Sequence, residues 1–491
     1  MKFFLFILSL IVFFSGVCHP APPAFRVAMA VEIQTLDPSE AEDFVSLRIL
    51  LNLGWGLVRF DKNLRPVSAL ASRWIISKDQ KTYTFNLKKS FWSNGTQIKA
   101  QDFIRGLDHT LSPTTAARLA SPFKDIVSSY RAIGDQKIEF KLRHPAPYFL
   151  SLLTSPFSFP QPENTNFKIR VGTPTSGPYT LQNISEEKIV LVPNPRSEEP
   201  GQNILEFRII KELSSALALY EKGEIDFIDR VPSSDFDRIL GTSGLARDLK
   251  KAPWLATYYI GFNVSRPPFS DKNSRLAITK SINRAATIKV LRDPQTAASS
   301  FVPHPLVSSG EEFGPSYDPA AAQKIWQSSR QNLTHLSLFF DAQEKNNLLM
   351  TRVQSELEEN LKIKLDLKGM EWKSYLAFLK DKKNGPDFYR FAWLAPFPDP
   401  VSHLEVFKSD NPNNYSGFKN KKYDELVDKM AQIPDGEQRH RLISKAQKIL
   451  LTDEVVIFPL FHYVQYLLIQ GRWQGLDLTP MGVLYFQKAH L

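Results

Sequence analysis

The residues from Asp387 to Leu404, DFYRFAWLAPFPDPVSHL, bring together the side chains best suited to holding a ligand. One fixed cation, Arg390, lies beside three aromatic rings, Tyr389, Phe391 and Trp393. Pro396, Pro398 and Pro400 follow at once. Proline fixes φ and removes a donor, so a strand here must leave as a stiff, open loop. An arginine and a tryptophan at the end of such a strand suit the wall of a cleft. The same residues also suit a buried aromatic strand with Arg390 snorkelling to solvent.

Catalytic chemistry finds no comparable stretch. There is no P-loop, no G-x-S-x-G elbow and no H-E-x-x-H helix. The nine histidines are scattered without metal-ligand spacing, and His144, His304 and His335 read as loop or surface residues. Carboxylates are plentiful, but nothing in the sequence pairs two of them into an acid/base couple. The expectation is a protein that is not an enzyme and carries no cofactor and no metal. Cys18 is the only cysteine, so a chain processed beyond it has no disulfide, metal thiolate or catalytic thiol.

The elements that must position the Arg390 stretch are mixed α/β. Arg26–Ile33 reads as a strand, Leu36-Asp37-Pro38 as a turn, and Val45–Leu53 as a helix. Thr82–Leu87 and Lys137–Leu142 alternate as half-buried strands, and Asn94-Gly95 marks a tight turn. Ala100–Leu111 places Phe103, Ile104, Leu107 and Leu111 on one helical face. Prolines at 145, 147, 156, 160 and 162 punctuate a loop-rich passage that suits a domain crossing. Strands follow at Ile189–Val192 and Leu205–Ile210. Ser214 or Ser215 is placed to cap a helix ending at Gly223, with a strand at Ile225–Ile228. Trp254–Val264 is a β-prone aromatic run, and Asp271 precedes a helical pattern. Leu336–Phe340 and Lys362–Leu367 read as strands around a helix over Leu348–Leu361. Tyr423–Met430 and Glu437–Leu451 read as helices, and Val455–Pro459 as a strand.

At 491 residues, two or three domains are expected. The 61 basic residues against 51 acidic ones give a net +10, but the two signs are interleaved. That pattern argues against nucleic acid, which needs the excess on one face. Lys2, the apolar run Phe3–Phe14 and the small residues up to Cys18 have the layout of a secretory signal, taken as residues 1–21. The run is shorter than the roughly 20 residues a membrane span needs. The expectation is a periplasmic protein, either soluble or anchored through a lipidated Cys18; Val17 departs from the small residue usual before such a cysteine.

Several segments in order resemble solute-binding protein family 5, the peptide-binding proteins of bacterial ABC importers. They include Leu36-Asp37-Pro38, LVRFD from Leu57, PVSALASRW from Pro66, and Thr82–Phe103. Gly177-Pro178-Tyr179, YEKGEIDF from Tyr220, FNVSRPPFSD from Phe262 and the Arg390 stretch complete the set. The resemblance implies a type II periplasmic binding protein with two hinged lobes and an inserted domain, a three-domain arrangement. Lobe I would comprise residues 22–54, 161–255 and 465–491, the inserted domain 55–160, and lobe II 256–464. It implies short peptides or peptide-like solutes as ligands, glutathione-like ones among them, ABC permease subunits as partners, and a monomer. It puts Glu42, Asp43 and Phe44 on the lobe I rim, Trp372 on an aromatic wall, and Ala392, Trp393 and Leu394 on the strand facing the ligand. Tyr463 matches a cleft tyrosine. Arg390 matches the family's partner for a ligand carboxylate, where a bidentate fork is strong.

One position departs. Peptide binders of the family usually carry an Asp three residues after the Trp of this stretch, for the peptide's α-amino group; here that residue is Pro396. Paired cysteines of some relatives are also replaced, by Ala256 and Leu394. Either Glu42 or Asp43 takes over the amine, or the ligand is not an ordinary peptide with a free N-terminus. A non-peptide solute such as a metal chelate or haem, and less readily an exported hydrolase, are the alternatives.

Overall fold

The computed structural model describes residues 23–307, 310–329, 335–381 and 383–491. The signal-like segment and Cys18 lie outside the described residues. Among the described residues no helix is long and apolar enough to cross a membrane.

Two long strands organise the chain. Leu249–Phe262 and Ile457–Ile469 run antiparallel side by side at the centre of an eleven-stranded sheet. On one flank Ile457–Ile469 is followed by Phe227–Ile228, Ala24–Met29, Ile204–Ile209, Lys188–Pro193 and Tyr179–Ile184. On the other, Leu249–Phe262 is followed by Phe388–Leu394, His335–Asp341 and Lys364–Met370. The short strand Thr296–Ala297 adds to Ile457–Ile469. Each flank holds parallel pairs, Ala24–Met29 with Ile204–Ile209 and His335–Asp341 with Lys364–Met370. Helices therefore cover both halves, as parallel pairing demands.

The two central strands do not pair evenly. Pro253 faces Val464 and Thr257 faces His462, so Trp254, Leu255 and Ala256 bulge against Tyr463 alone. Leu255 pairs elsewhere: its N–H donates to the Pro480 carbonyl at 2.9 Å and its carbonyl accepts from the Ala395 N–H at 2.9 Å. The bulge thus ties the C-terminal segment to the proline-rich loop.

A separate four-stranded antiparallel sheet, in the order Ala71–Ile76, Thr82–Leu87, Lys137–Leu142, Val127–Ile133, is covered by the helix Ala100–Leu111. Phe103 and Leu107 of that helix join Phe85, Phe140 and Phe149 in one apolar core. That core continues through Phe157 into Phe397, Leu404 and Phe407 of the proline-rich region. Separate clusters fill the two flanks of the large sheet, one around Phe25, Leu50 and Phe486, the other around Tyr258, Leu338 and Leu357.

Several local readings need correcting. The first strand covers Ala24–Met29 rather than 26–33, because pairing with Ile204–Ile209 stops at Met29. Ser214 and Ser215 do not cap their helix: it starts at Leu213, after Glu212, and no side chain makes the cap bond. Only Phe227 and Ile228 of the 225–228 run are strand. The strand read from Trp254 begins at Leu249 and ends at Phe262. The helix read from Leu348 begins at Glu344. Lys362 closes that helix in the left-handed conformation, φ +57°, so the next strand starts at Lys364. The helix from Glu437 gives way at Ile449 to a wider turn, and the strand read at Val455–Pro459 extends to Ile469.

Candidate functional site: a cleft across the shared sheet

The helix Phe44–Leu53 forms one side. Asp43 caps it, with Oδ1 accepting from the N–H groups of Val45 at 3.1 Å and Ser46 at 2.9 Å. These are orphan donors that every helix start must satisfy. The other Asp43 oxygen is buried without a hydrogen-bond partner. Glu42 is exposed and pairs with Arg118 at 3.2 Å. Phe44 is exposed too, and its ring lies 5.4 Å from Trp254 of the bulge.

The opposite side is the strand Phe388–Leu394. Its first four residues are buried and Ala392, Trp393 and Leu394 are half-buried. They face Tyr258, Thr257 and Ala256 across the ladder, so Ala256 and Leu394 stand directly opposite one another. The Trp393 indole N–H donates to the Ser402 carbonyl at 2.7 Å, which fixes the ring against the proline-rich loop. Trp372 opens the helix Trp372–Lys380, capped by Glu371. It stacks on Phe391 at 17° with 6.3 Å between ring centres, and 43% of its surface stays open.

Arg390 is neither snorkelling nor free. It is buried, and its Nη1 donates to Asp341 Oδ1 at 2.5 Å. Its Nη2 donates to the Tyr463 hydroxyl at 3.2 Å, and the guanidinium lies 4.2 Å over the Tyr258 ring. Its Nε is buried and unpartnered. Burial works against the charge, but the oxygens of Tyr258, Tyr463 and Asp341 outweigh it, so the arginine pKa is shifted upward. Asp341 ends its strand, and its carbonyl accepts from Asn346, which in turn accepts from the Tyr258 hydroxyl at 3.1 Å. Nearby, Lys345 pairs with Asp293 at 3.1 Å; burial draws the lysine pKa down, with Asp293 opposing.

Between the two sides opens a cavity of about 220 Å³. Phe44, Leu47 and Leu51 line it from the helix, Met481–Tyr485 from the C-terminal segment, Ser151, Leu152 and Thr154–Phe157 from the segment that follows the four-stranded sheet, and Leu394–Phe397 from the loop. Phe397 stacks on Tyr148 at 4.9 Å behind it. The cavity gathers Glu42, Phe44 and Leu394 among the expected residues. Arg390 and Tyr463 meet each other instead, and a line of aromatic contacts runs from Phe44 through Trp254 to Tyr463. Trp372 joins the Arg390 side through Phe391 and Tyr375.

Sequence reasoning missed Asp341, Trp254, Arg48 and the wall Met481–Tyr485. Asp341 had a signal, an acid closing the apolar run LSLFFD; the C-terminal wall has no periodicity that would have flagged it.

One sheet shared by two halves, with a cleft where they meet, is the layout of a type II periplasmic binding protein. The chain belongs to the bacterial extracellular solute-binding proteins, family 5, whose profile matches residues 65–415. It is 26% identical over 503 residues to the periplasmic oligopeptide-binding protein OppA of Salmonella typhimurium, covering 94% of this chain and 91% of that one. It is also 26% identical over 498 residues to the probable deoxycholate-binding periplasmic protein YgiS of Escherichia coli, covering 93% and 91%. The structure of Haemophilus influenzae OppA in complex with RPPGFSPFR superposes with a TM-score of 0.78 at 25% identity, over 96% of this chain and 99% of that one. These relatives are binding proteins rather than enzymes.

Proposed function

We propose that the chain is the periplasmic receptor of an ABC importer, taking short peptides or peptide-like solutes and handing them to membrane permease subunits. The observation that carries this reading is the cleft across a shared sheet in a family 5 member with oligopeptide-binding relatives. The proposed lobes are residues 22–54, 161–255 and 465–491 against 256–464, with 55–160 inserted. They close about the bulge at Trp254–Ala256, and the ligand shifts that equilibrium by binding the closed form better. Glu42, Asp43 and Phe44 form one rim. Trp372, Ala392, Trp393 and Leu394 form the other, over a floor of Arg390 and Tyr463. An extended ligand backbone along Ala392–Leu394 reads no side chains, and water fills the remaining space at little cost. The receptor acts as a monomer and does no chemistry.

The apolar cavity and the YgiS relative favour a second reading, an amphipathic carboxylate as cargo. Mass spectrometry of solute retained through purification, with titration calorimetry of short peptides, glutathione and deoxycholate, tests both. Binding of none of these, with turnover of any, would replace the receptor by a hydrolase.

A further inference from the structure

Little of the cavity's wall is charged. Among the described residues Glu42 contributes the only carboxylate of its lining, and it pairs at the exposed rim with Arg118. Among the described residues Arg48 contributes the only guanidinium; it donates to Asp229 at 2.6 Å from a largely buried position, while its Nε is buried without a partner. The Tyr485 hydroxyl accepts from the Phe60 N–H at 3.3 Å, and the Thr154 hydroxyl donates to the Ser151 carbonyl at 2.8 Å. The rest of the wall is chiefly phenylalanine, leucine, proline and methionine. Pro396, where an acid is usual in the peptide binders this chain resembles, contributes neither charge nor N–H to it.

The size fits one end of a ligand, not the whole. About 220 Å³ is roughly seven water molecules' worth of liquid, below the roughly 300 Å³ at which pockets enclose a complete small molecule. A branched alkyl or phenyl-sized group fills it. An ammonium placed deep in it loses its water and has only Glu42, at the exposed rim, to answer it, which is costly. An apolar group loses nothing and gains burial.

We propose that this cavity receives the leading end of the ligand as an apolar group without positive charge, supplied by an amine-blocked peptide or by an amphipathic carboxylate. The proposal rests on the receptor reading above. It also gives the bulge a part: Leu255 holds one wall through Pro480 and the other through Ala395, so the cavity forms at the pivot.

The test uses the full chain and calorimetry with three probes: Leu-Leu-Leu, N-acetyl-Leu-Leu-Leu, and deoxycholate. The acetylated peptide is expected to bind more tightly than the free one by about tenfold or more. Pro396→Asp, which returns an acid to the wall, is expected to reverse that order. Deoxycholate binding with both peptides rejected identifies the amphiphile as the source; the cavity assignment then holds and the peptide reading falls. The free-amine peptide binding as well as or better than its acetylated form overturns the proposal, and loss of that preference in Glu42→Gln would name Glu42 as the amine's partner. A free-amine tripeptide library supplies the last distinction. If the library binds and acetylated peptide and deoxycholate do not, the cavity assignment fails while the receptor stands. If everything is rejected, both fail.

Discussion

The Arg390 floor and the Pro396 cavity lie six residues apart on one strand and its loop, yet they solve opposite problems. At the floor a guanidinium is buried and answered by the protein's own Asp341, Tyr463 and Tyr258. At the cavity almost nothing is charged, and the two ionic side chains that reach it are tied to Asp229 and Arg118. The difference teaches that charge in this region is answered first by the protein's own side chains. Under the proposed receptor reading, what is left for a guest is chiefly shape and apolar surface, with the spare donors of Arg390 beside it.

The sharpest way to break the contrast is Arg390→Ala. From sequence its loss would weaken ligand binding and spare the fold. The buried partner changes that expectation: Asp341 is left charged and unpaired, which costs about 3–5 kcal/mol. Denaturant unfolding should show a large fall in midpoint, and the double replacement Arg390→Met with Asp341→Leu should recover most of it. An unchanged midpoint for the single variant would put the floor's charge in solvent.

Next in size is a carboxyl behind the cavity. Burial pushes Glu405 up to about 7, with Lys408 opposing and Asp125 and Asp399 adding to it. The folded value lies above the ordinary 4.5, so the protonated form stabilises below 4.5. That contribution is lost as pH rises through 7, up to about 3 kcal/mol. Glu405→Gln should therefore match the parent near pH 4.5 and exceed it in unfolding midpoint at pH 8. Equal midpoints at both pH values would mean the carboxyl is hydrated.

Phe44→Ala probes the cavity itself. Truncation removes its ring from the lining and from Trp254, and should weaken ligand binding by about 1 kcal/mol with little change in stability. Smallest is Glu42→Gln: both partners of the Glu42–Arg118 pair are well exposed, so its loss should cost less than about 0.5 kcal/mol of stability. A larger, salt-sensitive loss would promote that pair from rim to wall.

Much of this architecture could be read locally. Thr82–Leu87, Ala100–Leu111 and Lys137–Leu142 occupy the spans their alternation or helical spacing predicts, because each shows one apolar face to one core. Asp271 caps its helix as its position suggests. What could not be read is what distant chain supplies. Arg390 finds its counter-ion 49 residues upstream, and no local pattern separates that acid from the other carboxylates. The second central strand looked short because residues 463–466 are half-buried and interrupt the apolar run. The cavity draws on segments from 42 to 485, so only its Glu42, Phe44 and Leu394 members were named in advance, through family likeness rather than spacing.

The unbroken ladder from Lys364–Met370 across to Tyr179–Ile184 makes the two halves inseparable neighbours. A fragment cut between them would carry Leu249–Phe262 or Ile457–Ile469 with a raw row of amides and carbonyls along one side, an invitation to pair with any other chain. The proposed lobe closure must therefore be absorbed by twisting within an intact fabric, not by parting at a seam, and the loosest stitch in that fabric is the three-against-one step beside Tyr463.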